Sequence, residues 1–203
     1  MVISPAMPIS LRGRIDPLAE PVAPPPQALE TTSPPVRILF PSSIGDLGLT
    51  LIGNVVVSVR IAPKGREKRQ YTPLEEVLDS DFLDEMFGRL SEYFAGARPS
   101  PDIEWDVLDA EISPFARRVL KETAKIPYGK TRTYRKIAAA AGKPDAYRVV
   151  LATLAANPLP IVVPCHRVVT NKSGIGSYIG GRDRKRWLLA MEKEGLRAAE
   201  AAW

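Results

Sequence analysis

The chain reads as an α/β protein, a small sheet-plus-helix domain followed by a mainly helical one. Short β-rich runs cluster between residues 36 and 61, and helix-start signals recur after residue 72. Charge also divides the chain: residues 113–203 hold 18 Lys+Arg against 6 Asp+Glu, while residues 1–112 hold 10 against 17. At 203 residues there is length for two small domains. The expected layout is a proline-rich disordered leader over 1–35, an α/β domain over 36–105 and a second domain over 110–203.

Residues 1–35 contain nine prolines and no sustained apolar period, the composition of an extended leader. Val36 to Phe40, Leu47 to Ile52 and Val55 to Ile61 are β-rich runs, and Gly53-Asn54 between the last two is a hairpin signal. Thr72-Pro73-Leu74-Glu75 fits a capping box with proline at the first helical position, and Phe82, Met86, Leu90 and Phe94 then recur at helical spacing until Gly96. Residues 97–112, with Trp105, carry loop signals and mark the boundary between the domains.

Ser113-Pro114 repeats the helix-start pattern, with Phe115, Val119 and Leu120 on one face. Thr133 is placed to cap a short helix ending near Gly142, and Pro144 to open another running to about Ala156. Two helices joined by so tight a turn predict a helix-turn-helix. Ile161 to Pro164 reads as a short buried strand or extended segment ahead of Cys165. Asp183 to Glu194 reads as a last helix closed by Gly195, with Trp187, Leu188 and Met191 inward.

Composition excludes several classes. A single cysteine forbids an intrachain disulfide, and with a single histidine it forbids the usual four-ligand cysteine-histidine zinc site, so no metal is expected. No 18-residue apolar run occurs, and Met1 to Leu18 lacks a signal-peptide pattern, so a cytoplasmic protein without a membrane partner is expected. No Gly-rich phosphate or dinucleotide loop follows a strand, which argues against a nucleotide or S-adenosylmethionine cofactor. Three Asn and two Gln beside twenty Pro suit a heat-tolerant protein. The basic half suits a polyanion such as a nucleic acid backbone.

The chemistry concentrates at Cys165-His166, the sole thiol and the sole imidazole, placed side by side after an apolar run. Taken alone, a cysteine flanked by Val and Pro is a small buried hydrophobe. A reactive one needs a base or a positive field, because a free thiol near its reference pKa of about 8.5 is mostly protonated at neutral pH. His166 supplies the base and the surrounding Arg and Lys the field. Neighbours on an extended segment point to opposite faces, so a bridging water or a bend after Pro164 would have to connect the two.

The order Pro114-Phe115, Ile126-Pro127-Tyr128-Gly129, Thr133-Tyr134, Gly142, Ala146-x-Arg148, Asn157-Pro158, Pro164-Cys165-His166-Arg167-Val168, Gly176-x-Tyr178-x-Gly180-Gly181 and Trp187-Leu188-Leu189 resembles the O6-alkylguanine-DNA alkyltransferases over about 80 residues. The resemblance implies a winged-helix-like second domain and a single-turnover methyltransferase, monomeric and free of cofactors. Its partner would be double-stranded DNA with a flipped alkylated base, and O4-alkylthymine is a further possible substrate. It assigns the acceptor to Cys165, the base to His166 acting through a water, the orienting acid to Glu192, and a hydrogen-bond donor to the leaving guanine to Tyr134. Arg148 falls on the family's inserted arginine, with Ala146, Tyr147, Thr133 and Arg132 around the DNA-binding helices. Asn157, Pro164, Arg167, Val168, Tyr178 and Ile179 fall on supporting or pocket positions.

The chain departs from the family at several places. Tyr147, Val149 and Leu151 are bulkier than the family's small residues, Ala155 stands where some members carry a second arginine, Leu120 where tryptophan is frequent, and Ile179 where serine is usual. The competing functions are a non-catalytic alkylated-DNA binder, disfavoured by Cys165, and a helix-turn-helix regulator. A thiol hydrolase would need a second, separately placed histidine, which the chain lacks.

Overall fold

The computed structural model describes residues 34–74, 80–107, 112–170 and 174–201. The three β-rich runs form strands β1 (Val36–Phe40), β2 (Leu47–Ile52) and β3 (Val55–Ile61), bounded as the sequence predicts. They pair antiparallel, with Ile38 opposite Leu49 and Leu49 opposite Val59, so one face carries Ile38, Leu47, Leu49, Leu51 and Val59 into the core. Gly53 at φ +55 turns the β2–β3 hairpin.

A one-turn helix α1 (Gly65–Lys68) follows, and then the first departure. Thr72–Pro73 does not start a helix but forms β4, pairing parallel with β1 in a sheet ordered β3-β2-β1-β4. Proline has no N–H to donate, yet it is tolerated on this edge strand. Glu75 of the expected capping box lies outside the described residues, as does the leader through residue 33. The helix itself, α2 (Asp81–Phe94), starts after Ser80 and buries Met86, Phe87, Leu90, Tyr93 and Phe94.

Residues 97–107 are less loose than their composition suggests. Trp105 is buried and bridges to Val56, and Val56 N–H donates to the Glu104 carbonyl. The β3 edge also reaches the second half of the chain, where Val59 N–H donates to the Pro158 carbonyl at 2.8 Å.

Helix α3 (Pro114–Ala124) is capped as expected, with the Ser113 hydroxyl accepting from Ala116 N–H at 3.2 Å. Arg132–Thr133 forms β5, after which Thr133 caps α4 (Tyr134–Ala140) by accepting from Lys136 N–H. Helix α5 (Tyr147–Ala155) begins three residues later than Pro144, because residues 144–146 are spent on the turn and Ala146 takes the cap position. Ile161 to Pro164 is not a strand. Ile161 sits at φ +78 in a tight turn closed by the Pro160–Val163 bridge, and Cys165–Arg167 then makes a single 3-10 turn leading into β6 (Val168–Val169), which pairs parallel with β5.

Helix α6 runs from Arg182 to Ala201, straight through Gly195. Leu188 is buried as expected, but the fully buried face joins it to Lys185 and Glu192, at i, i+3 and i+7, with Met191 only partly buried and Trp187 outside it. Trp187 remains 37% exposed beside Phe94. Gly195 does not stop the helix but permits close packing: a Cβ there would lie 2.5 Å from Tyr128 Oη and 3.0 Å from the Gly96 carbonyl. No helix among the described residues is long and apolar enough to cross a membrane.

The packing at Gly195 opposes two effects of similar size. Alanine raises helix propensity by about 1 kcal/mol, while overpacking against a backbone carbonyl costs about 1–3 kcal/mol. Because Gly96 backbone cannot rotate away, Gly195→Ala is expected to lower the urea-unfolding free energy. An unchanged or raised midpoint would show that α6 shifts at little cost.

Candidate active site

The acid at position 192 organises the site. Glu192 is fully buried on α6, and its two oxygens are surrounded by four donor residues from three separate stretches of chain. Arg167 Nε donates to both oxygens at 3.0 Å and Nη2 to Oε1 at 2.9 Å. Tyr93 Oη donates to Oε1 at 2.8 Å, His166 Nε2 lies 2.8 Å from the same oxygen, and Gly129 N–H donates to Oε2 at 3.1 Å. Gly129 holds φ +66 with Leu196 2.9 Å from where a Cβ would sit, so glycine allows its amide to come this close.

Burial alone would raise the Glu192 carboxyl, but Arg167 and then His166 outweigh it and bring it down to about 2. A permanently ionised Glu192 can only accept, so the proton on His166 Nε2 faces the carboxylate. Burial lowers the His166 pKa more than Glu192 restores it, and the imidazole is therefore neutral with Nδ1 bare. Nδ1 is buried and has no hydrogen-bond partner among the described residues. Arg167 is anchored further by Nη1 donating to the Ile126 carbonyl at 2.6 Å and Nη2 to the Pro99 carbonyl at 3.3 Å.

Cys165 lies beside this network. The bend after Pro164 is the 3-10 turn, which removes the opposite-face geometry expected of an extended segment. Burial pushes the thiol up to about 11, offset in part by the Asn157 amide and the Lys185 ammonium. Asn157 is fully buried, donating Nδ2–H to the Val163 carbonyl and accepting from Leu159 N–H, both at 3.0 Å, and so it ties the end of α5 to the turn that carries the cysteine. Pro164 and Val168 flank the turn, and both are buried.

A pocket of about 230 Å³ opens onto Cys165, lined by Tyr134, Leu151, Leu154, Ala155, Ser177, Tyr178 and Ile179. Tyr134 Oη makes only a long 3.5 Å contact to the Ser177 carbonyl, and burial raises its pKa, so it stays a phenol able to donate. The Tyr178 ring stands edge-on to His166 at 6.1 Å. Ile179 is 41% exposed at the rim, across from Leu151 at 40%. On the outer surface Arg148 is exposed, with its Nε 3.3 Å from Tyr147 Oη and its guanidinium 5.8 Å from that ring, while Arg135 lies 4.6 Å from the same ring.

Residues 114–194 match the family model for the 6-O-methylguanine DNA methyltransferase, DNA binding domain. A methylated-DNA–protein-cysteine methyltransferase of Methanosarcina barkeri is 39% identical over 134 residues, covering 66% of this chain and 82% of the relative. The chain belongs to this family. Its Mycobacterium tuberculosis relative of the same name is 38% identical over 154 residues, covering 75% of this chain and 88% of that one. The crystal structure of the Mycobacterium tuberculosis protein in complex with DNA superposes with a TM-score of 0.67 at 35% identity, covering 78% of this chain and 93% of that one. The small sheet with helices, followed by a mainly helical half, is thus the alkyltransferase fold.

The structure brings Cys165, His166, Glu192, Tyr134, Asn157, Arg167 and Tyr178 together, and it sets Arg132, Thr133, Ala146, Tyr147 and Arg148 apart around α4 and α5. Sequence reasoning missed Tyr93 and Lys185. Tyr93 was passed over beside the stripe Phe82, Met86, Leu90 and Phe94, although it is the one phenol on the buried face of α2. Lys185 is fully buried, donating Nζ–H to the Val168 carbonyl at 2.6 Å and the Ser177 carbonyl at 3.1 Å, and burial lowers it to about 8. Its signal was the i, i+3, i+7 spacing with Leu188 and Glu192, which an apolar pattern cannot reveal.

The depressed Glu192 pKa makes stability depend on acid. A carboxyl lowered from 4.5 to about 2 on folding contributes on the order of 3 kcal/mol, present above the unfolded value and lost as pH falls through the folded one. Unfolding free energy is expected to begin falling as pH drops below the ordinary histidine range, because buried His166 stays neutral where the unfolded chain takes up a proton, and to fall further between about pH 4.5 and 2 along the Glu192 limb. Glu192→Gln should remove that limb while costing about 3–5 kcal/mol at neutral pH, because Arg167 is left buried without its counter-charge. An acid limb of equal size in the variant would contradict the assignment.

Proposed function

We propose that this alkyltransferase repairs O6-alkylguanine in DNA by moving the alkyl group onto Cys165, once per protein molecule. The carrying observation is that Cys165 closes a pocket bordered by a phenol donor, next to a neutral histidine held in one tautomer by a buried carboxylate. The thiol proton passes through a water to His166 Nδ1. The thiolate attacks the alkyl carbon, forming an S–C bond as the C–O6 bond breaks and its electron pair stays on guanine. Tyr134 donates to the base as that charge develops. The thioether is stable, so the acceptor is consumed.

Cys165 is buried, so a base must leave the duplex stack to reach it through the pocket, and extrusion costs a few kcal/mol of stacking and pairing. Arg148 is the side chain we assign to the vacancy, with α4 and α5 acting as the helix-turn-helix pair and α5 entering the minor groove. The small exposed Ala152, Ala155 and Ala156 permit that approach, and Tyr147 braces Arg148 from the side. Arg132 and the Thr133 cap lie at the start of α4, placed to meet the backbone. We take the protein to act as a monomer, as the resemblance implies.

Incubation with an O6-methylguanine oligonucleotide is expected to add one methylene equivalent to the intact mass, with no gain in Cys165→Ala. An unchanged wild-type mass would remove the enzyme reading and leave the non-catalytic binder. Arg148→Ala should slow repair of duplex by about tenfold or more, the scale of losing part of an extrusion cost of a few kcal/mol, and slow free-base dealkylation far less. Equal slowing of both would refute the insertion role.

A further inference from the structure

The relay that prepares the thiol is not complete within residues 114–194, the span the family model matches. Two of its contacts come from the acidic first half of the chain. The Pro99 carbonyl holds Arg167 Nη2, and Tyr93, fully buried on α2, donates its hydroxyl to Glu192 Oε1 at 2.8 Å while lying 3.4 Å from His166 Nε2. Resting on the alkyl-transfer function above, we propose that Tyr93 is a positioning residue for the reaction: its phenol fixes the rotation of the Glu192 carboxylate, and through it the tautomer and ring orientation of His166 that aim Nδ1 toward Cys165.

The geometry limits what Tyr93 can be doing. Its ring is held on edge against Phe94 at 5.2 Å and Tyr128 at 6.3 Å, so the hydroxyl points to one place. Burial, then the negative charge of Glu192, raise its pKa well above the ordinary phenol range, so it is a donor at every working pH and cannot itself take the thiol proton. Glu192 Oε1 is shared among Tyr93, His166 and Arg167. Each donor draws charge from that oxygen, and the share taken by the phenol weakens the field that would protonate His166. The groups facing the imidazole and its carboxylate are Tyr93 from α2, Arg167 from the 3-10 turn, Tyr178 from the segment before α6, Lys185 from α6 itself, and Tyr128 beside Gly129. Among these, Tyr93 alone is uncharged, on the first half of the chain, and in contact with both partners.

The chain contains one histidine and one cysteine, which makes the test unusually direct. In full-length Tyr93→Phe the single-turnover rate on O6-methylguanine duplex is expected to fall about tenfold or more, the scale of small misplacement in an oriented reaction. The dissociation constant for DNA should stay unchanged, because Tyr93 is fully buried and presents no surface to DNA. The single ¹⁵N-histidine signal should report the Nε2–H tautomer in the wild type, and in Tyr93→Phe it should titrate at higher pH. Replacement by 3-fluorotyrosine, nearly isosteric and a stronger donor, should shift that titration the other way. An unmoved rate and an unmoved His166 titration in the folded variants would overturn the proposal, whatever happens to the melting temperature. If the wild type itself gains no methylene equivalent, the alkyl-transfer function fails; a wild type that transfers no faster than Tyr93→Phe sinks only the role of Tyr93.

Discussion

The rest of the molecule depends on an ion pair taken wholly out of water, Glu192 with Arg167. Desolvating two charges costs several kcal/mol per ion, and their attraction offsets this only if nearly every remaining polar site is satisfied. The structure meets that condition. The carboxylate accepts from a guanidinium, an imidazole, a phenol and a backbone amide, and the guanidinium gives its other hydrogens to the carbonyls of Ile126 and Pro99. Removing one partner leaves a charge in an apolar core, so the network stands or falls nearly as a unit.

That requirement shapes the chain around it. Helix α6 must approach the loop at 127–129 closely enough for Gly129 to donate, and this demands glycine at 129 and at 195, where side chains would collide. The first half of the chain contributes more than surface: α2 delivers Tyr93, the loop after it delivers Pro99, and the β3 edge holds Pro158 beside the Asn157 brace. Contacts that look like packing between the two halves of the chain therefore include those that bind Glu192 and Arg167 beside His166.

Much of this was legible in the residues and some was not, for physical reasons. Strands β1 to β3 follow their β-branched runs because each is short, half-buried and closed by turn signals, so local preference and tertiary packing agree. Thr72-Pro73 failed as a helix start because proline at a first helical turn and proline on a sheet edge leave the same local signature, and only the β1 edge decides between them. The run Ile161–Val163 looked like a strand because apolar residues in a tight buried turn have the same composition. The positive φ at Ile161 comes from the surrounding packing, not from its own preference. The inward face of α6 was misjudged because hydrophobic patterning assigns charged residues to solvent, whereas Lys185 and Glu192 are buried with partners supplied by distant chain. Cys165, His166, Glu192 and Tyr134 were named through the resemblance, and the fold places them together; Tyr93 and Lys185 belong to long-range contacts that no local pattern encodes.

The burial that protects the thiol also silences it. Burial pushes its pKa up to about 11, so Cys165 is a thiol at pH 7 and ionising it there costs on the order of several kcal/mol. A surface cysteine would be far more reactive toward stray electrophiles, and a protein that spends its only acceptor in one event gains from that restraint. The cost is small beside the barrier to displacement at a saturated carbon, and it is met locally: the Asn157 amide and the Lys185 ammonium lower the thiolate's energy, and an unprotonated Nδ1 stands ready for the proton. In the proposed reaction, ionisation is thus a step reached when a base fills the pocket and excludes bulk water, and its selectivity follows from the enabling groups being gathered at one site.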